Sequence, residues 1–346
     1  MARSTGKTNK TQARCYCADL LAKGMLCSDT GISFCIYAKD FFSETSQWYA
    51  DKKQVATGKK VPVARKTLAA YTEILENKLL PYFGKYKLAD ITSTHVKKFR
   101  AVLIERNLSN SYINIVCHVL SIIFKYAETD RYITTNPCTA VQSLSVNKRT
   151  RDAFSLEELE CIFRQQWTNK ERKLFAITAA VTGMRFSEIQ GLRKEVIFQN
   201  YLDVNGQWDS KTKAITPVKT GESRKVRIPE WLSKCLLSYT KQSGFVFSEC
   251  DNAYRNEFVA KIDVSQRKSR GLCFHSIRHF FNTFLLANNI PEIKVKAIMG
   301  HSSGRGSMTE RYTNFRPEHF DDVEKLQSLL LEHFLCGDEC ITQPNN

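Results

Sequence analysis

The sequence predicts a mainly α protein of two domains: a four-helix N-terminal domain, then a mixed α/β domain that is mostly helical and holds a small antiparallel sheet. The first sign is that apolar residues recur at three- and four-residue spacings in successive segments between residues 32 and 129. A polar, basic stretch from Ser143 to Arg151 then interrupts the pattern. After it, short strand-like runs between Val196 and Ile228 are enclosed by further helical segments. At 346 residues the chain also exceeds the length of one ordinary core. The expected division is a basic N-terminal tail over 1–30, a helical domain over 31–140, a linker over 141–152, a second domain over 153–335 and a tail over 336–346.

The elements follow in order. A helical pattern from about Ile32 to Val55 carries Ile36, Phe41, Trp48 and Tyr49 as its apolar marks, and Thr57-Gly58-Lys59-Lys60 breaks it. The next helix, about 65–78, aligns Leu68, Tyr71, Ile74 and Leu75 and should end before Pro81. Thr92 reads as the N-cap of a third, bearing Val96, Phe99, Val102 and Leu103. The fourth, about 110–129, sets Ile113, Val116, Leu120, Ile123 and Phe124 on one face, with Asn136-Pro137 stopping the run. Beyond the linker, Ser155 and Glu158 form a capping-box signature. Helices are expected at 156–166 and 170–182. Strands follow at 196–198, 201–204, 213–215 and 224–228, then helices at 230–241, 252–262, 275–288, 291–299, 307–313 and 317–334.

Charge points to the partner. Lys+Arg number 51 against 35 Asp+Glu, a formal net charge of +16. A surface so cationic favours a polyanion, because neutralised phosphates release their condensed counterions. No apolar run approaches the ~20 residues of a membrane span. The polar N-terminus, Met1 to Lys7, shows no signal-peptide stretch, so a cytoplasmic, nucleoid-associated protein is expected. The 12 cysteines are scattered without a CxxC pair, which favours buried thiols over disulfides or a metal site.

Six residues of the second half form a set able to act on a phosphodiester without metal or cofactor: Arg185, Lys219, His275, Arg278, His301 and Tyr312. Cations can hold non-bridging oxygens, a proton donor can serve the leaving oxygen, and a phenol can attack. Each motif alone has an ordinary reading. HisxxArg is commonplace on helices, Arg185 could cap the preceding helix, and Lys219 sits among other lysines. Specificity lies in their order. Thr182-Gly183-Met184-Arg185-Phe186-Ser187-Glu188-Ile189 comes first, then Pro217-Val218-Lys219-Thr220-Gly221 and His275-Ser276-Ile277-Arg278-His279. Met299-Gly300-His301-Ser302 and Glu310-Arg311-Tyr312-Thr313 complete the series.

In these motifs the chain resembles the tyrosine recombinases of the phage integrase family, over about residues 32 to 320. Leu80-Pro81-Tyr82-Phe83-Gly84, Leu88-Ala89-Asp90-Ile91-Thr92 and Thr135-Asn136-Pro137 extend the likeness into the first half. The resemblance implies a SAM-like core-binding domain and a recombinase catalytic domain closing as a C-shaped clamp on duplex DNA. It implies that Tyr312 attacks the scissile phosphate to leave a 3′-phosphotyrosyl link, with His275 as base. Arg185, Arg278 and His301 would hold the phosphate, and Lys219, on a hairpin turn, would protonate the leaving 5′-oxygen, with Lys225 as the substitute. Glu188 and His279 would support these groups. Lys148, Arg149 and Arg151 of the linker are candidate DNA contacts.

The same resemblance implies paired recombination sites, a homotetramer joined through the C-terminal helix, and room for an accessory DNA-bending protein. Phe320, Val323, Leu326, Leu330 and Leu331 supply that helix with an apolar stripe, which packing on its own domain would equally explain. Integration and excision of a mobile element is the expected function. Dimer resolution and cassette movement use the same chemistry, and a type IB topoisomerase or a non-cleaving regulator are rivals. Eleven positions separate His301 from Tyr312, slightly more than is common in the family, with Gly304-Arg305-Gly306 as the extra length.

Overall fold

The computed structural model describes residues 9–14, 16, 31–55, 63, 65–146, 152–210, 212–218, 223–247, 252–300 and 315–335. Two compact units emerge, Met1–Lys148 and Arg149–Asn346.

In the first unit the helix expected from Ile32 to Val55 is two, α1 (Phe34–Ala38) and α2 (Gln47–Val55). Asp40 takes the left-handed conformation (φ 55°) and turns the chain between them. The single-turn α1 buries Phe34 and Ala38, so Ile36 points the other way and is 67% exposed. Next comes α3 (Arg65–Ile74). It runs through a π turn, Leu75–Leu79, into α4 (Leu80–Phe83), past the proline expected to end it. Leu80 N–H reaches back to Leu75 O across the widened turn. Pro81 then lies in the first turn of α4, where a missing N–H costs little.

Thr92 caps α5 (Ser93–Glu105), and His95 closes the capping box. Helix α6 (Asn110–Thr129) buries Ile113, Val116, Leu120, Ile123 and Phe124, the face its spacing predicts. These side chains share one core with Trp48, Phe83 and Phe99. Residues 10–14 are helical where a loose tail was expected.

The second unit opens with α7 (Leu156–Arg164), capped by Ser155 and Glu158 as its sequence predicts. Helix α8 (Lys170–Thr182) is buried on every side from Lys173 to Thr182, which makes it the unit's central rod. The short α9 (Phe186–Gln190) follows.

Four strands come next: β1 (Tyr201–Val204), β2 (Gly206–Asp209), β3 (Ala214–Pro217) and β4 (Arg224–Arg227). They form two antiparallel pairs, β1 with β4 and β2 with β3. Strand β2 was not anticipated. The run at 196–198 is no strand: Lys194–Val196 is a 3-10 turn, and Ile197 makes one bridge to Leu202.

Helices α10 (Glu230–Ser238), α11 (Asn252–Ala260), α12 (Val264–Arg270), α13 (Phe274–Ala287) and α14 (Glu292–Met299) follow. No apolar stripe announces α12, since none of its residues is buried; the Asp263 cap starts it. A helix expected at 307–313 lies outside the described residues.

Last comes α15 (Asp321–Leu335), after a 3-10 turn at Pro317–Phe320. Phe320, Val323, Leu330 and Leu331 are buried and Leu326 packs against them, all within the unit's own core. Phe334 meets Phe163 of α7 at 4.7 Å between ring centroids. The apolar stripe that could have served a neighbouring protomer is thus covered by α7, α8 and β4. Cys138 and Cys235 are buried free thiols, each pushed up to about 12 by burial. Among the described residues, no helix is long and apolar enough to cross a membrane.

Candidate active site

Arg185 owes its position to two helix ends. Helix α8 stops at Gly183, whose left-handed conformation (φ 61°) lets its N–H close on Ala179 O at 3.0 Å. A Cβ there would come within 2.5 Å of Phe281 and 2.6 Å of the Met299 sulfur, so only glycine fits. Two residues on, Arg185 is the N-cap of α9. Its N–H donates to Glu188 Oε2 at 2.9 Å, and its Nη1 donates to Glu188 Oε1 at 2.7 Å. Glu188 thus accepts from both the backbone and the side chain of Arg185.

The other end of the site is the C-terminus of α14. Its last carbonyls have no helical partner and carry the negative end of the helix dipole. Three arginines satisfy three consecutive ones. Arg224 Nε donates to Ile298 O (2.8 Å), Arg278 Nη2 to Met299 O (2.5 Å) and Arg185 Nη2 to Gly300 O (2.8 Å). Arg278 also donates through Nη1 to Gly183 O at 2.6 Å, so it joins the ends of α8 and α14. Motifs separated by about a hundred residues thus converge on one turn of backbone. Arg185 and Arg278 spend only some of their five N–H donors on these carbonyls and can still turn others toward an anion.

Three guanidinium groups surround one carboxylate, a net positive cluster. Burial alone would push the Glu188 carboxyl up, but Arg224, then Arg185, outweigh it and hold it at about 2. Arg278, only 5% exposed, is brought down to about 9 by burial and by the charges of Arg185 and Arg224. It still keeps its proton at neutral pH. Among the described residues its hydrogen bonds go to the carbonyls of Gly183 and Met299 rather than to a carboxylate. Such preorganised charge suits a site where negative charge builds up in the transition state.

His275 lies in the first turn of α13, one turn from Arg278 on the same face. Its ring stands edge-on to His279, 5.0 Å away. A cavity of about 400 Å3 is lined by His275, Arg278, Arg255, Cys273, Met184 and Phe186, among others. Arg255 of α11 lies over the Phe186 ring at 4.6 Å.

Lys219, His301, Tyr312, Lys148, Arg149 and Arg151 lie outside the described residues. Their attachments are nevertheless informative. Gly300, in the left-handed conformation (φ 61°), caps α14 one residue before His301. Lys219 belongs to the connection between β3 and β4, which do not pair with each other as one hairpin. Pro217 pairs with Gly206, and Arg224 pairs with Val204. These rungs flank Asn205 on the facing chain, so the 218–223 connection leaves one strand pair and enters the other.

Arg224 is the residue that sequence reading missed: it stood as one cation in a strand. Strand alternation could have separated it from its neighbour. Lys225, named as the substitute for Lys219, points to the opposite face of β4 and rests over the Tyr201 ring at 4.9 Å. That places it away from the arginine cluster.

The two-unit fold agrees with what comparison with known proteins finds. The Phage integrase family description fits residues 153–319, and the Phage integrase, N-terminal SAM-like domain, fits residues 56–104. The ICEBs1 integrase of Bacillus subtilis is 24% identical over 282 residues, covering 73% of this chain and 76% of that protein. A XerC-like tyrosine recombinase of Caldanaerobacter subterraneus is 24% identical over 293 residues, covering 71% and 73%.

Two solved structures share the fold. A lambda integrase tetramer bound to a Holliday junction gives a TM-score of 0.61 at 17% identity, covering 90% of this chain and 85% of that one. The Tn1549 transposon integrase in complex with transposon right end DNA gives 0.60 at 17% identity, covering 85% and 99%. The chain belongs to the phage integrase family, the tyrosine-type site-specific DNA recombinases.

Proposed function

We propose that this protein is the integrase of a phage or other mobile element, and that Arg185, Lys219, His275, Arg278, His301 and Tyr312 carry its chemistry. The observation that supports this most is the placement of Arg185 and Arg278 on adjacent carbonyls, Gly300 O and Met299 O, directly before His301.

In this reading the scissile phosphate enters between the two guanidinium forks, which match its oxygens and keep their charge. A phenol of pKa about 10 is a poor nucleophile at neutral pH. His275 therefore takes the Tyr312 proton as the Tyr312 oxygen bonds to phosphorus. The bond to the 5′-oxygen breaks, and Lys219 gives that oxygen its proton. His301 donates to a non-bridging oxygen. The resulting 3′-phosphotyrosyl ester retains the phosphodiester energy, so the 5′-hydroxyl of a second strand can displace the tyrosine without metal or ATP.

Duplex DNA with paired sites is the proposed substrate. Lys148, Arg149 and Arg151 are proposed to contact phosphates and to position rather than specify. A homotetramer on DNA is proposed to form through the solvent side of α15, where Leu329 is 42% exposed, and the residues after it, since the buried face is occupied. An accessory bending protein fits the same scheme.

The test is a nicked duplex from which the cut fragment diffuses away. The wild-type chain should become covalently attached to DNA, and Tyr312→Phe should not. No adduct with a bound cognate site would make the protein a regulator. Relaxation of supercoils without any paired site would make it a topoisomerase.

A further inference from the structure

Among the described residues, Arg224 is engaged by protein through all three of its guanidinium nitrogens. Its side chain lies against Glu188, whose own side chain is fully buried. The contact is bidentate: Nη1 donates to Oε1 at 3.1 Å and Nη2 to Oε2 at 2.7 Å. With the two bonds from Arg185, the Glu188 carboxylate accepts four, two on each oxygen. Because Arg224 occupies both oxygens, Arg185 cannot fold back onto Glu188 as a bidentate pair. It keeps one Nη on the carboxylate and places the other on Gly300 O.

Arg224 also fixes the backbone that leads to His301. Its Nε holds Ile298 O, and its guanidinium fills the space beside the Gly300 α-carbon, where a Cβ would lie 2.8 Å from Nη1. It is, moreover, the first residue of β4 and so forms one root of the connection that carries Lys219.

We propose that Arg224 is a positioning residue of the strand-cleavage site: it sets the orientation of Arg185 through Glu188 and the course of the chain into His301, and it does not touch the phosphate itself. This rests on the recombinase reading above. A carboxylate released by Arg224 would draw Arg185 away from the phosphate, and misplacement by about 1 Å can cost ~10²-fold in rate.

The experiment uses the full chain and the nicked duplex, measuring DNA affinity and the single-turnover rate of adduct formation separately. Arg224→Met should bind the site within about twofold of wild type and cleave it ~10²-fold more slowly. Arg224→Lys, which keeps charge without a fork, should recover only part of that loss. Glu188→Gln should mask the effect, so the double variant cleaves little more slowly than Glu188→Gln alone.

Wild-type cleavage by Arg224→Met, a loss confined to affinity, or additive losses in the double variant would each overturn the proposal. If Arg224→Met does not fold, Arg224→Lys decides: full activity overturns the proposal, and slow cleavage at unchanged affinity supports it. Failure of the wild-type chain to form any adduct would instead remove the recombinase reading.

Discussion

Gly300→Ala tests the tightest point of the site. The new methyl would meet two separate costs. The first is conformational: at φ 61° a residue with a Cβ is strained by roughly 1–2 kcal/mol. The second is steric. The Cβ would lie 2.8 Å from Arg224 Nη1, 2.9 Å from Cζ and 3.0 Å from Cδ. An arginine tip usually swings aside, but this one is held twice by Glu188 and once by Ile298 O. Moving it would break charge-assisted bonds; keeping it would overpack the site by about 1–3 kcal/mol.

Gly271→Ala isolates the first cost, because Gly271 has nearly the same backbone (φ 67°) and nothing within 4 Å of its Cβ position. Calorimetry of the second unit's transition should therefore place Gly300→Ala below Gly271→Ala. For a unit of this size the extra 1–3 kcal/mol corresponds to roughly 2–12 °C. Adduct formation should fall only in Gly300→Ala. Equal melting temperatures for the two variants would show that Arg224 yields freely and would refute the argument for a rigid cluster.

Two further outcomes follow from packing and charge. The folded carboxyl of Glu188, at about 2, lies below its ordinary 4.5, so the unfolded chain takes up the proton first. Its contribution, about 3 kcal/mol, is complete above pH ~4.5 and lost as pH falls toward 2. Urea midpoints measured across that window should drop more steeply for wild type than for Glu188→Gln. Separately, Phe334→Ala should destabilise the second unit by about 3–5 kcal/mol, since its ring packs on Phe163 inside the core. A melting temperature unchanged from wild type would mean that α15 does not belong to that core, and assembly through its apolar face would become tenable again.

What could be read in advance divides along a physical line. Helices with one apolar face were legible, as in α6, and so were caps such as Ser155 with Glu158, because their causes are local. The helical break at Asp40 was not, since a left-handed residue leaves the apolar spacing intact. The passage of a helix across Pro81 was hidden for a similar reason: a π turn is a backbone adjustment without a side-chain signature. Strand β2 was missed because Gly206-Gln207-Trp208-Asp209 carries little strand character of its own. It is held by its pairing with β3.

By itself the sequence determined that this is a basic, two-part, mainly helical chain. It also supplied, in a recognisable order, the residue types that act on a phosphodiester. The tertiary structure alone decided how the described members meet. It joined Arg185 and Arg278 on neighbouring carbonyls of α14 and brought in Arg224, and it turned the apolar face of α15 inward. Local spacing governs helices and caps, whereas unpaired carbonyls, a buried carboxylate and a shared core acquire partners only when distant segments pack.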